Sequence, residues 1–332
     1  MKPTILITGG AGYIGSHTAY VMAHRGYQVV VLDALLHGQS FDHSWAIHVK
    51  ADFADKNVLH SIFSTYQVQA VFHCAASIEV GRSVREPLAF YDNNVSKTIT
   101  LLEQMVAHDV RTIVFSSSCA VYGAPLTPAF AEDHPKNPLS PYGHSKYMIE
   151  VVLQDIARAH DIRYAALRYY NAAGGVPESG LGEHHKPETH IIPLLLDAAY
   201  NGTPFYVYGN DYPTPDGTCI RDYVHVRDIA DAHYKALAYL QAGNVSTAFN
   251  IGSGLGCSVA ELIVAVERIT GLPVQVVLRA RREGDPARLL ADPSYTHQQL
   301  GWQAQHSGLE YIIKSLVVAR HAFDEQVKFK AY

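Results

Sequence analysis

Thr4-Ile5-Leu6-Ile7-Thr8 runs directly into Gly9-Gly10-Ala11-Gly12-Tyr13-Ile14-Gly15, and a helical pattern follows from Ser16 to Arg25, closed by Gly26. No other stretch restricts the fold so strongly. A short β-rich apolar run reads as a buried strand. Gly9, Gly12 and Gly15 have the G-x-x-G-x-x-G spacing, a variant of the dinucleotide fingerprint. Glycines at that spacing let the backbone turn sharply and let a pyrophosphate approach the helix N-terminus. A glycine triplet alone is a weak signal, but one placed between a first strand and a first helix is strong.

The rest of the first half repeats the strand-and-helix alternation. Gln28 to Leu32 reads as a second strand with Asp33 at its end. An acidic residue about 20 positions beyond the glycines is where adenosine ribose hydroxyls are bound. A carboxylate there repels a 2′-phosphate, so the expected cofactor is NAD rather than NADP. Asp52 ends a third run, Ala46 to Ala51, and is expected to face the adenine. Ala70 to His73 is a fourth strand opening into the small residues Cys74-Ala75-Ala76-Ser77. Asn93 and Asn94 fall in a long helical region, Val84 to Ala107, where a buried Asn is expected to hydrogen-bond a strand-end loop. Arg111 to Phe115 is a fifth strand, and Ser116-Ser117-Ser118 at its carboxyl end should face the ligand crevice. Ile162 to Leu167 is a sixth strand, followed by Arg168-Tyr169-Tyr170-Asn171. The alternation predicts an α/β fold, a doubly wound parallel sheet with a smaller C-terminal lobe. The expected division is a dinucleotide domain over 1–172, with segments returning from the second half, and a second lobe over 173–332.

Ser140-Pro141-Tyr142-Gly143-His144-Ser145-Lys146 carries the chemistry. Ser140 suits a helix N-cap and Pro141 the first helical position. Tyr142 and Lys146 then lie one turn apart on one face. An ammonium beside a phenol favours the phenolate, and turns a group of pKa ~10 into a usable base.

Composition excludes several classes. With 17% charged residues and a net charge of −5, the 332-residue chain lacks the basic face of a nucleic-acid binder. An anionic ligand must therefore be met by a few placed arginines. Cys74, Cys119, Cys219 and Cys257 are scattered, so neither a zinc site nor a disulfide framework is expected. Cys74 and Cys119 follow apolar runs and read as buried thiols. Glu183-His184-His185, within a Gly-, Pro-, Glu- and His-rich stretch from Gly174 to Thr189, reads as a polar loop, and no metal is expected. There is neither a signal-peptide pattern nor a long apolar span, and the expectation is a cytoplasmic protein with no membrane partner.

Thr8 to His17, Tyr91-Asp92-Asn93-Asn94-Val95, Phe115 to Gly123, Ser140 to Lys146 and Leu167 to Asn171 together resemble the extended short-chain dehydrogenase/reductase family. So do Tyr208-Gly209-Asn210-Asp211-Tyr212-Pro213-Thr214, Asp216 to Val226 and Arg281-Arg282-Glu283-Gly284-Asp285. These narrower motifs match its branch of nucleotide-sugar 4-epimerases. The resemblance implies interconversion of UDP-galactose and UDP-glucose through a 4-keto intermediate, with hydride passing to bound NAD and back. It makes Ser118, Tyr142 and Lys146 catalytic. It places the cofactor against Gly9, Gly12, Tyr13, Ile14, Gly15, Asp33, Asp52, Phe53, Cys74, Ala75, Ala76, Asn93 and Tyr169, besides the catalytic three. It also implies a homodimer. Related dehydratases carry an Asp-Glu pair near Ser118, where this chain has Ser118-Cys119-Ala120, which disfavours dehydration. The rival readings are another NAD-dependent sugar-nucleotide epimerase, dehydratase or decarboxylase, and a non-catalytic NAD-binding regulator.

On the substrate side, Ser118, Tyr142 and Asn171 are expected at the sugar. His190, opening a helix from His190 to Tyr200, and Ile191 are expected at the diphosphate. The strand Phe205 to Tyr208, with Tyr206 and Tyr208, should lie along the uracil. Arg221 and Arg282, in a net-acidic chain, read as a diphosphate clamp. Asp285 should accept from the ribose, and Asp228 reads as a helix N-cap. Two departures from the family pattern stand out. Ile78 replaces a lysine that meets the cofactor phosphates in many relatives. Leu289 replaces a bulky Tyr, leaving room for an N-acetyl group, so UDP-N-acetylhexosamines are candidate substrates.

Overall fold

A computed structural model describes residues 2–35, 43–183, 188–282 and 284–330, with side chains through Arg320. In chain order the elements are β1 (Thr4–Thr8), α1 (Tyr13–His24), β2 (Gln28–Asp33), β3 (Ile47–Lys50), α2 (Lys56–Thr65), β4 (Val68–His73), α3 (Val80–Arg85), α4 (Pro87–Tyr91), α5 (Lys97–Ala107), β5 (Thr112–Ser118) and α6 (Pro141–His160). There follow β6 (Arg163–Tyr169), β7 (Asn171–Ala173), α7 (Ile191–Asn201), β8 (Phe205–Tyr208), β9 (Ile220–His225), α8 (Val226–Gln241), β10 (Thr247–Ile251), β11 (Gly256–Ser258), α9 (Val259–Thr270), β12 (Val276–Arg279), β13 (Arg288–Leu289), α10 (Ser294–Leu300) and α11 (Leu309–Lys330).

Seven parallel strands form the main sheet in the order β10-β6-β5-β4-β1-β2-β3. Its central strands are buried along nearly their whole length because both faces are covered. One face packs Ile5, Ile7, Val31, Phe72 and Leu167 against α1 and α8. The other packs Leu6, Val30, Val71, Ile113 and Ala166 against α2, α5 and α6. Each fully buried Ile, Leu or Val contributes roughly 1.5–3 kcal/mol by leaving water. Strand order reverses between β1 and β4, and such a switch point opens a crevice at the strand carboxyl ends. The smaller assembly pairs β9 with β7, β11 and β13, and β8 with β12. Its core of Ile192, Leu195, Tyr223, Leu262 and Ile313 joins α7, α9 and α11.

Three details depart from the sequence reading. The fifth strand continues through Ser118 instead of ending at Phe115, because β6 pairs with it as far as Tyr169. The helical region is broken rather than continuous. Pro87 lacks an N–H and disfavours helix at Glu86, and residues 92–96 form a π-helical turn around buried Asn94. Finally, α8 is capped by His225, whose ring accepts from Arg227 N at 3.0 Å, and not by Asp228. Asp228 is instead buried, accepting from His306 N at 2.8 Å and Ser307 Oγ at 2.7 Å.

Candidate functional site

The turn after β1 is shaped by steric exclusion. Gly9 has φ +68°, and a Cβ there would lie 2.5 Å from Ala75 N. A Cβ on Gly15 would lie 2.1 Å from Gly9 O, and one on Gly12 3.2 Å from the same oxygen. The loop therefore presses on Cys74-Ala75 at the switch point. Gly12 leads into the twelve-residue α1 without a side-chain cap. The first-turn N–H groups and the positive end of the helix dipole then lie at the glycine turn. This cradle fits a dinucleotide pyrophosphate. Asp33 closes it, Oδ2 accepting from Ala11 N at 3.0 Å and Oδ1 from Leu35 N at 2.8 Å. Tyr13 donates to Gly174 O at 2.5 Å, and Ile14 packs partly buried beside it.

Asp52 pairs with Lys97 at 2.5 Å. Burial opposes its ionisation, but Lys97 and Ala54 N outweigh that and hold the carboxyl below its ordinary value. Phe53 is buried, its ring 5.1 Å from that of His73. Asn93 donates to Ser77 Oγ at 3.2 Å. Asn94 is the buried amide of the two, and it closes on both Ser77 N and Ser77 O, at 2.8 and 2.9 Å. It also reaches Ser145 Oγ at 3.1 Å, which ties the loop after β4 to α6. Ile78 is exposed. Tyr169, expected at the cofactor, has its hydroxyl committed to Ser116 Oγ at 3.1 Å and His233 Nε2 at 2.7 Å.

At the head of α6, Ser140 Oγ accepts from Gly143 N at 3.2 Å and Pro141 occupies the first position. A Cβ on Gly143 would lie 2.6 Å from Ala120 O, so the helix rests on the turn that follows Ser118. This brings Tyr142 near Ser118, whose side chain favours the phenolate. Lys146 is buried and donates to Ser116 O at 2.7 Å, its Nζ 5.9 Å from the Tyr142 ring centre. The sequence suggested that this ammonium draws the phenol down. In the protein alone the opposite holds. Burial pushes Tyr142 up to about 12 and outweighs the Ser118 hydrogen bond. Burial also lowers Lys146 to about 8. The ammonium stands beyond the ring and is spent on a carbonyl.

On the facing lobe, Arg221 and Leu289 are register partners on β9 and β13. Arg221 forms an ion pair with Asp285 and donates to Ile220 O at 2.8 Å. Arg282 stacks over Tyr208 at 4.1 Å and Arg279 over Tyr206 at 5.0 Å, along the exposed face of β8. Asn171 donates to Asp222 O at 2.7 Å. Cys119, next to Ser118, feels the charges of both Asp222 and Arg221 and packs in one apolar cluster with Leu289 and Tyr170. The serine turn and the arginine-bearing strand thus adjoin. All four cysteines are free, and burial pushes Cys74 and Cys119 up to about 11 and about 12.

His190 is the residue before α7, whose first residue is the half-buried Ile191. Its Nδ1 is turned to Glu183. Burial disfavours the imidazolium, but the Glu183 hydrogen bond and the charges of Glu183 and Glu188 outweigh it and raise the pKa. His184 and His185 lie outside the described residues. The polar grouping that forms is instead Glu183, Glu188 and His190, with ligand atoms within 4.8 Å of one another.

The NAD dependent epimerase/dehydratase family matches residues 5–252. The chain belongs to this family. A UDP-glucose 4-epimerase of Rhizobium meliloti is 46% identical over 303 residues, covering 91% of this chain and 92% of the relative. The crystal structure of UDP-glucose 4-epimerase from Brucella ovis in complex with NAD superposes with a TM-score of 0.93 at 43% identity, over 97% of this chain and 98% of that one. A Stenotrophomonas maltophila UDP-glucose 4-epimerase with NAD and formylated UDP-arabinopyranose gives 0.92 at 36% identity, over 98% and 99%.

Several buried residues of this epimerase/dehydratase were not picked out as site residues by sequence reasoning. Asp222 accepts from Ser253 N, Ser253 Oγ, Gly254 N and Ala291 N, at 2.6–3.1 Å, and so fixes the strand end carrying Arg221. Glu150, on α6, and Arg168, on β6, form a buried ion pair. Glu150 stands one turn beyond Lys146, and that spacing was the available signal. No described helix is long and apolar enough to cross a membrane.

Proposed function

We propose that the chain is an NAD-dependent 4-epimerase interconverting UDP-galactose and UDP-glucose. One observation carries this reading. Tyr142, at the head of α6, and Ser118, at the end of β5, stand between a glycine cradle shaped for a dinucleotide and a lobe bearing Arg221 and Arg282. NAD, held by the Gly9–Gly15 turn with Asp33 at the ribose, supplies a hydride acceptor and a positively charged ring when bound.

The remaining work falls to side chains. Tyr142 takes the proton of the sugar 4-hydroxyl, and Ser118 hydrogen-bonds the oxygen as it becomes a carbonyl. Lys146 supplies positive charge to the same region through a fixed position on Ser116 O. Arg221 and Arg282 grip the diphosphate with His190 and Ile191 nearby, Tyr206 and Tyr208 flank the uracil, and Asp285 accepts from the ribose. Asn171 and Leu289 border the hexose. Holding UDP while leaving the sugar loosely bound lets the 4-keto sugar present its other face before hydride returns. The main sheet with its glycine turn is the cofactor unit, mainly 1–172, and the lobe over 173–332 mainly binds the UDP-sugar.

Leu289, smaller than Tyr, supports turnover of UDP-N-acetylhexosamines as well. Exposed Val84, Leu88, Met148 and Val151, on α3, α4 and α6, support a homodimer across those helices. A coupled assay tests the main reading. Purified protein should convert UDP-galactose to UDP-glucose without added reductant and conserve all atoms of the sugar by proton NMR. Loss of water or carbon dioxide, or no turnover by NAD-loaded protein, would reject it. Leu289→Tyr should cut activity on UDP-N-acetylgalactosamine roughly tenfold or more while sparing UDP-galactose.

A further inference from the structure

A buried clasp lies between α6 and the main sheet, close behind the proposed substrate site, with Tyr122 in one apolar cluster with Leu289. Ser117 and Arg168 are direct register partners on β5 and β6. Glu150, reaching down from α6, spans both. Its Oε1 accepts from Ser117 Oγ at 2.5 Å and from Arg168 Nε at 3.0 Å, and its Oε2 accepts from Arg168 at 2.6 Å. The second guanidinium arm donates to Tyr122 Oη at 2.8 Å and Glu132 O at 3.0 Å. Tyr122 in turn donates to Asn250 on β10 at 2.6 Å. Glu150, Arg168, Ser117 and Tyr122 are each at most 4% exposed.

Such a group is a costly way to fill a core. Desolvating two ions removes most of their Coulomb gain, and apolar residues of similar volume commonly give equal or better stability. A planar bidentate pair offers fixed geometry instead. Three of the elements it joins carry the catalytic set or support it. Ser117 precedes Ser118, Tyr122 ends the turn on which Gly143 rests, and Glu150 is one turn along α6 from Lys146. We propose that Glu150 and Arg168 are positioning residues. Their ion pair locks α6, β5 and the 119–122 turn in the one register that keeps Tyr142 and Lys146 against Ser118 and Ser116 O. The inference rests on the 4-epimerase reading.

The test is the double substitution Glu150→Leu/Arg168→Met in NAD-loaded protein. Melting temperature and NAD content should stay near those of the parent. With UDP-galactose, kcat should fall roughly 10²-fold, the scale of a 1 Å misplacement, while KM stays within about threefold. The acidic limb of the kcat profile should move to higher pH as Lys146 loosens. A stable double variant with parental kcat and pH profile overturns the proposal. If the double variant does not fold, Ser117→Ala removes one hydrogen bond only and should lower kcat several-fold at unchanged KM and melting temperature. Parental kcat in that variant overturns the proposal equally. An inactive parent would instead reject the 4-epimerase reading.

Discussion

The two sides of the crevice are built from different materials. The cofactor side is mostly backbone, with glycines that admit no Cβ, a helix N-terminus without a side-chain cap and main chain packed at the switch point. The facing lobe is charge and aromatic surface. Arg221 is already paired with Asp285, Arg281 with Asp211, and Arg279 and Arg282 lie over tyrosine rings. A backbone site is complete before its ligand arrives. A site of prepaired ions must exchange partners, so its ligand gains only the difference between old and new contacts. One side suits a group that stays, and the other suits a group that comes and goes.

The sharpest way to break this contrast is on the backbone side. Gly15→Ala drives a methyl into Gly9 O, and the protein should be isolated without NAD and without turnover, read by cofactor release and assay. Retained NAD would show that the cradle yields. Tyr142→Phe should come next, losing roughly 10²–10⁴-fold in kcat with UDP affinity nearly intact by calorimetry. Arg221→Ala removes a charged hydrogen-bonding group and should raise KM for UDP-galactose roughly 10–100-fold with NAD content unchanged. A fall in NAD content there would erase the distinction between the two sides.

The smallest effect expected is with pH. Burial places Lys146 near 8 in the protein alone, so its charge is present below that value and lost as pH rises through it. If the cation serves catalysis, kcat/KM should decline above about pH 8. Lys146→Ala should be slower overall, lack that decline, and show its acidic limb at higher pH. An alkaline limb that survives unchanged in Lys146→Ala belongs to another group.

What could be read from the chain follows the same division. The glycine turn, the capped start of α6 and the bounds of β8 were legible because each depends on neighbours within a few residues. Asp33 stood where spacing put it, although half of its hydrogen bonding serves the turn itself. The state of Tyr142 was not legible. Spacing shows that a lysine is one turn away, but not that its ammonium is spent on Ser116 O or that burial outweighs it. The Arg221–Asp285 pair joins residues 64 positions apart, and nothing local announces it. Pro87 announced the first break in the helical region locally, but the π-helical turn and the cap of α8 were missed for a similar reason. Asn94 and Asp228 satisfy distant backbone and hydroxyl groups, which competed successfully with the local pattern.

β10 has a consequence for synthesis. The strand closing the main sheet beside β6 lies at Thr247–Ile251, after the β7–β9 excursion into the other lobe. A nascent chain released or stalled near residue 172 would display β6 as an open, apolar edge, an invitation to pair with other chains. The main sheet cannot be finished on the ribosome until β7, α7, β8 and β9 of the other lobe have been made. Truncation at the apparent boundary should therefore yield aggregates, whereas ending the chain beyond β10 and its covering α10 removes that hazard.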